Sequence, residues 1–248
     1  MDNIFLQKLR IPCYDTDITQ SMKPVSFMNY AQEIANCHAT ILGFGYDDLI
    51  RTRTAWVLSR MHIKFLELPK WRDNVNLRTW HKGPERLFYI RDYRLTDEKD
   101  EKDLVVATTS WLVVNIDSRR LVRETLLDEE SICRNDAITP SCDKIRIPSG
   151  IAQELHSSHT VSYSDLDMNG HANNAMYLVW AMDAAGCDVT LHRPLKELKI
   201  NFNHEARAGQ TVDLFLSRDS SGDSLVFWVE GRIRENDGVS SFIMEMTF

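Results

Sequence analysis

The run Tyr163-Ser164-Asp165-Leu166-Asp167-Met168-Asn169-Gly170-His171-Ala172-Asn173-Asn174-Ala175-Met176-Tyr177 decides the fold, because a weaker copy of it stands 150 positions earlier. There the chain reads Asp15-Thr16-Asp17-Ile18-Thr19-Gln20-Ser21, and then Ser26-Phe27-Met28-Asn29-Tyr30-Ala31. Without a gap, Asp15 falls on Asp165, Asp17 on Asp167, Phe27 on Tyr177, Tyr30 on Trp180 and Ala31 on Ala181. A period this long in a chain of 248 residues indicates a duplicated domain, not an array of short units.

Each copy opens the same succession of patterns. After the first, Phe27, Ala31, Ile34, His38 and Ile41 recur at helical spacing, with Pro24 near the start and Gly43 and Gly45 past the end. Runs rich in β-branched and aromatic residues follow at 54–65, 74–82, 87–95 and 105–116 and predict strands. After the second copy, an apolar helix over 174–187 precedes strands near 197–203, 211–218, 224–235 and 239–247. Each half is then a leading strand, one long helix and four or five antiparallel strands. This predicts an α+β tandem, or double, hotdog, each half packing a long helix on a curved antiparallel sheet. Residues 1–130 would form the N-terminal hotdog and 156–248 the C-terminal one. Between them 131–155, with Pro140, Pro148 and Gly150, reads as an ordered linker.

Composition narrows the function. The chain is 43% hydrophobic and 26% charged, ordinary for a globular protein. A net charge of −7 argues against nucleic-acid binding driven by overall charge. No run of 18 apolar residues occurs, so no membrane span is expected. The start, Met1-Asp2-Asn3-Ile4-Phe5, lacks the order of a signal peptide, so a cytoplasmic location is expected. Cys13, Cys37, Cys133, Cys142 and Cys187 are odd in number and have no short paired spacing, which favours reduced thiols over disulfides or a zinc site. Cys37 and Cys187 fall in helical patterns and are expected to pack as small apolar groups.

The second copy carries the chemistry. Asp167, Asn169 and His171 stand at alternate positions, and in an extended segment they would share one face. A carboxylate, an amide and an imidazole would converge just before a buried helix. At the equivalent first-half positions stand Asp17, Thr19 and Ser21, without amide or imidazole. One active site per chain is expected, in the second half.

The motif from Ser164 to Asn174, followed by Tyr177, resembles the signature of acyl-acyl-carrier-protein thioesterases, the plant FatA/FatB-like family and its bacterial relatives. Trp71-Arg72-Asp73-Asn74-Val75, Phe88-Tyr89-Ile90-Arg91-Asp92-Tyr93, Ala107-Thr108-Thr109-Ser110-Trp111 and Asn115-Ile116-Asp117-Ser118-Arg119-Arg120-Leu121 agree with it, so the likeness covers most of the chain. The resemblance implies a double hotdog whose C-terminal half is catalytic and whose N-terminal half holds much of the acyl chain. It also implies hydrolysis of acyl-carrier-protein thioesters to free fatty acid, ending chain elongation in fatty acid synthesis. Position by position, it assigns the catalytic set to Asp167, Asn169, His171 and, after the next strand, Glu205. Some accounts of the family place a nucleophilic cysteine directly after that glutamate. Ala206 stands there, which favours water activation over a covalent acyl-enzyme.

The residues suit that chemistry. Glu205 would be the general base if an apolar surrounding raises its pKa. Asn169 would hold the water or polarise the carbonyl, His171 would orient the water or pass a proton, and Asp167 would fix the loop. Backbone N–H groups at Asn173, Asn174 and Ala175 would receive the oxyanion at the helix start. Glu205 falls opposite Leu68 when Ile200-Asn201-Phe202 is set on Ile63-Lys64-Phe65. Met28, Trp56, Met61 and Phe65 are candidates for lining the acyl chain, and equally for ordinary core.

No phosphate cradle or metal-ligand cluster is legible, and no cofactor is expected. The expected partner is acyl carrier protein. Because that partner is acidic, docking needs a local basic surface, for which Lys64, Lys70, Arg72, Arg78, Lys82, Arg86, Arg193, Lys196, Lys199 and Arg207 are candidates. The residues leave open an acyl-coenzyme A thioesterase, a non-catalytic acyl-binding hotdog, a hotdog dehydratase, and a homodimer.

Overall fold

The computed structural model describes residues 3–122, 132–133, 135–138 and 143–248. Cys142, and Pro140 of the expected linker, lie outside the described residues. The chain divides into two units, Met1–Cys142 and Asp143–Phe248.

The first unit begins with β1 (Ile4–Arg10) and α1 (Pro24–Ile41), followed by a short helix α2 (Tyr46–Arg51). Strands β2 (Thr54–Phe65), β3 (Asn74–Glu85), β4 (Phe88–Asp97) and β5 (Asp103–Asn115) complete it. They form an antiparallel sheet in the order β1-β3-β4-β5-β2. Pro24 opens α1, where a missing N–H costs nothing, and Gly43 at φ +79° lets the chain leave it. The helix buries Phe27, Met28, Ala31, Ile34, Ala35, His38 and Ala39. The sequence patterns did not mark α2.

The second unit repeats the plan with β6 (Glu154–Thr160), α3 (Asn174–Ala185), the single turn α4 (Cys187–Thr190), β7 (Glu197–Phe202), β8 (Thr211–Asp219), β9 (Val226–Ile233) and β10 (Val239–Thr247). Its antiparallel sheet runs β7-β10-β9-β8-β6, the order of the first unit with each strand replaced by its counterpart. Tyr177 of α3 sets its ring against Trp180, Phe202 and Phe242 at centroid distances of 5.1, 5.8 and 5.0 Å. Gly231 faces this cluster because any Cβ there would run into the Phe242 ring. Each unit is a hotdog, and the chain is a tandem of two. Among the described residues no helix is long and apolar enough to cross a membrane.

One feature of the first core is costly. Arg91 on β4 is 2% exposed, and burial lowers its guanidinium to a pKa of about 10. It donates to His38 Nδ1 and Thr79 Oγ1, both at 3.0 Å, and to His81 Nε2. The two imidazoles must stay neutral to accept those bonds. Cys187, expected to pack as an apolar group, is instead exposed, because α3 ends at Ala185 and the helix breaks at Gly186, φ +87°.

Candidate active site

The segment from Asp165 to His171 is a tight loop, which corrects the extended segment inferred from alternation. Asp167 N–H donates to His171 O at 2.8 Å and Gly170 N–H to Asp167 O at 3.1 Å. The Asp167 carboxylate accepts the N–H of Asn169 at 2.8 Å and that of His171 at 3.4 Å. A short acidic side chain thus takes over backbone donors that a strand would have shared with a neighbour. Gly170 turns the loop at φ +77°.

The same loop exists in the first unit. Asp17 N–H donates to Ser21 O at 2.9 Å, and the Asp17 carboxylate accepts the N–H of Thr19 at 2.8 Å and of Ser21 at 3.2 Å. Asp17 and Asp167 therefore organise their loops identically, whether or not an amide and an imidazole follow.

The turn after β7 brings Glu205 to the loop. Ala172 N–H donates to Ala206 O at 2.8 Å, and His171 bridges Arg207. His171 Nε2 lies 3.1 Å from Glu205 Oε2, and an Arg207 guanidinium nitrogen lies 3.8 Å from the same oxygen. The His171 side chain is 20% exposed and that of Glu205 38%, so water reaches the pair. In the first unit Met22 N–H donates to Pro69 O at 2.8 Å and Lys70 Nζ to Ser21 Oγ at 2.6 Å. The frame is the same there, but no acid–base pair results.

The remaining candidates are placed unevenly. The Asn169 side chain is exposed and reaches Asp167 Oδ2 at 3.3 Å. Asn173 caps α3, its Oδ1 accepting Ala175 N–H at 2.9 Å, while Asn173 N–H donates to Asp165 O at 2.8 Å. Of the three amides expected at the helix start, Asn174 N–H alone makes no hydrogen bond within the described residues. Met28, Met61 and Phe65 are buried in the first core, while Trp56 is half-buried and donates to Phe44 O at 3.1 Å. His204 is exposed and bonds Ser240 O through Nδ1 at 2.9 Å.

Three residues around the site were given no role by the sequence, although Asp165 and Tyr177 stand in the repeated motif. Asp165, 2% exposed, is held by His159 Nε2 at 2.9 Å and Ser162 N–H at 2.7 Å. Burial alone would raise its pKa, but those donors bring it below the usual carboxylate value. Tyr177 Oη accepts Ala206 N–H at 3.2 Å, and Ser241 Oγ donates to His204 O at 2.7 Å. The one sequence signal for these hydroxyls is that Tyr177 replaces Phe27 of the first copy.

Comparison with known proteins places this geometry. The model of the acyl-ACP thioesterase N-terminal domain matches residues 2–129, and that of the acyl-ACP thioesterase C-terminal domain matches residues 149–248. The chain is 27% identical over 246 residues to the chloroplastic oleoyl-acyl carrier protein thioesterase of Coriandrum sativum, covering 92% of this chain and 66% of that protein. Against oleoyl-acyl carrier protein thioesterase 2 of Arabidopsis thaliana it is 26% identical, covering 88% and 64%. The chain thus spans slightly less than two-thirds of the length of these relatives. An acyl-ACP thioesterase structure from Bacteroides thetaiotaomicron superposes with a TM-score of 0.87 at 22% identity, covering 98% of this chain and 97% of that one. The 12:0-ACP thioesterase of Umbellularia californica gives 0.83 at 20%, covering 99% and 93%. These two likenesses show the fold.

Proposed function

The chain belongs to the acyl-ACP thioesterase family, and from that premise we propose that it hydrolyses the thioester of acyl-acyl carrier protein to free fatty acid. The observation that carries the reading is the His171–Glu205 contact at 3.1 Å, set on the Asp167 loop and absent from the otherwise identical loop of the first unit. One catalytic site per chain is the reading, in the C-terminal unit.

Glu205 and His171 act as an acid–base pair. Water attacks the thioester carbonyl, and its proton passes to Glu205. The C–S bond breaks, and the proton held by Glu205 passes through His171 to the departing thiolate, which returns both groups to their starting state. With Ala206 after Glu205, that position offers no thiolate to form an acyl-enzyme. The developing oxyanion is met by Asn174 N–H at the helix start and by the Asn169 amide, the other two helix-start donors being engaged. Asp167 serves as loop organiser.

The carrier protein would meet a smaller basic surface than the sequence suggests. Arg78 is held by Asp100 at 2.6 Å, Lys82 by Asp136 at 2.5 Å and Lys199 by Glu245 at 2.8 Å. Lys64, Lys70, Arg72, Arg86, Arg193 and Lys196 are left to steer an acidic partner, Lys70 bonding only the Ser21 hydroxyl and Arg72 lying over the Trp71 ring.

The test is fatty acid release from a panel of acyl groups, each offered on acyl carrier protein and on coenzyme A, with Glu205→Ala as control. Release from the carrier protein that disappears in the variant supports the reading. Release from coenzyme A alone moves the substrate class, and tight acyl binding without release would refute the hydrolase.

A further inference from the structure

We propose that Tyr177 and Ser241 are positioning residues for Glu205, two buried hydroxyls that hold the peptide groups on either side of it. The proposal deepens the hydrolase reading and rests on it.

The geometry is specific to one residue. Ser241 Oγ donates to the carbonyl of His204, which belongs to the peptide entering Glu205. Tyr177 Oη accepts the N–H of Ala206, which belongs to the peptide leaving it. Peptide groups are rigid planes, so fixing the plane before and the plane after a residue fixes its φ and ψ. The direction of the Glu205 side chain toward His171 is set in this way. Both hydroxyls are out of reach of solvent, Tyr177 at 3% exposure and Ser241 at 1%. Ala206 is also the residue whose carbonyl takes Ala172 N–H, so the same peptide run is tied to the His171 loop.

A purely structural role for these hydroxyls would require the turn to depend on them. The duplicated unit shows that it does not. In the second unit Asn203 and His204 N–H both donate to Ser241 O, at 2.8 and 3.0 Å. In the first unit Leu66 and Glu67 N–H both donate to Leu104 O, at 2.9 and 3.0 Å. The turns share the same backbone bonds. Yet Leu104 stands where Ser241 is, Phe27 where Tyr177 is, and Leu68 where Glu205 is. The half without the carboxylate folds the turn without either hydroxyl, and with Pro69 where Ala206 stands it has no N–H there to be met.

The experiment replaces each hydroxyl by the first unit's solution or its nearest equivalent, Tyr177→Phe and Ser241→Ala, singly and together, with Ser241→Thr as the variant that keeps the hydroxyl. Steady-state hydrolysis of an acyl-acyl carrier protein is measured across pH, with thermal melts alongside. Losing one hydrogen bond is worth about tenfold in rate, so each single variant is expected to lower kcat about tenfold. KM should stay near wild type. Tm should fall by only a few degrees where Tyr177→Phe leaves the buried Ala206 N–H unpaired, well short of unfolding at the assay temperature. The acid limb of the kcat profile should move, and Ser241→Thr should recover most of the loss. Unchanged kcat in both single variants overturns the proposal while leaving the hydrolase intact. So does a kcat loss that only follows a fall in Tm. A wild-type protein that hydrolyses no thioester refutes the hydrolase reading itself, and the positioning role falls with it.

Discussion

Acidification should destabilise the first unit through His38, and the size of the effect can be worked out. His38 lies on α1 at 3% exposure, stacked on Phe5 at 5.9 Å, with Nδ1 accepting from Arg91 at 3.0 Å. Burial, and then the Arg91 charge, lower its pKa from the ordinary 6.5 to about 4. Because the folded value is the lower one, the unfolded chain binds the proton first as pH falls. The contribution is intact above about 6.5 and is lost progressively down to about 4. The full gap is worth about 3 kcal/mol, of which about 2 kcal/mol is gone by pH 5. Many carboxylates and His81 titrate as well, so the test is a difference of differences. Urea unfolding of wild type and His38→Gln is compared at pH 7.5 and pH 5, since glutamine can accept from Arg91 without titrating. Wild type should lose about 2 kcal/mol more than the variant between the two conditions. Equal losses would refute the reasoning, because they would mean that His38 takes up no fewer protons folded than unfolded.

Other consequences are as direct. Gly231→Ala puts a Cβ into the Phe242 ring and 2.8 Å from Val212 Cγ1, and should cost about 1–3 kcal/mol in denaturant unfolding. Asp17→Ala and Asp167→Ala each remove a side chain that accepts two loop N–H groups, and each should cost about 1 kcal/mol. Only Asp167→Ala should also lower thioester hydrolysis, and equal activity losses in the two variants would count against a single site in the second unit.

The sequence by itself determined the duplication, the fold class and most of the elements. The repeated motif is ungapped at its 150-residue offset, strands alternate or run apolar, and α1 carries Pro24 and glycines at its ends, so each signal is local and the structure keeps it. Strands β2 and β10 fall where the periodicity set them. The short helix α2 escaped because six residues are too few to show a period. The residue types of the candidate site were also legible, but their arrangement was not. Alternation placed Asp167, Asn169 and His171 on one strand face, whereas the Asp167 carboxylate captures the loop's own N–H groups and leaves His171 to meet Glu205. That meeting depends on Ala172 bonding Ala206 across a turn, a contact between segments over 30 residues apart that no local pattern encodes. The same holds for the helix start, where Asn173 takes the Ala175 amide, and for Ser241, whose neighbourhood of Glu205 arises only when β10 pairs with β7. Local periodicity specifies which face a residue prefers; which side chains share a proton is decided by strand pairing and by the competition of nearby polar groups for the same backbone donors.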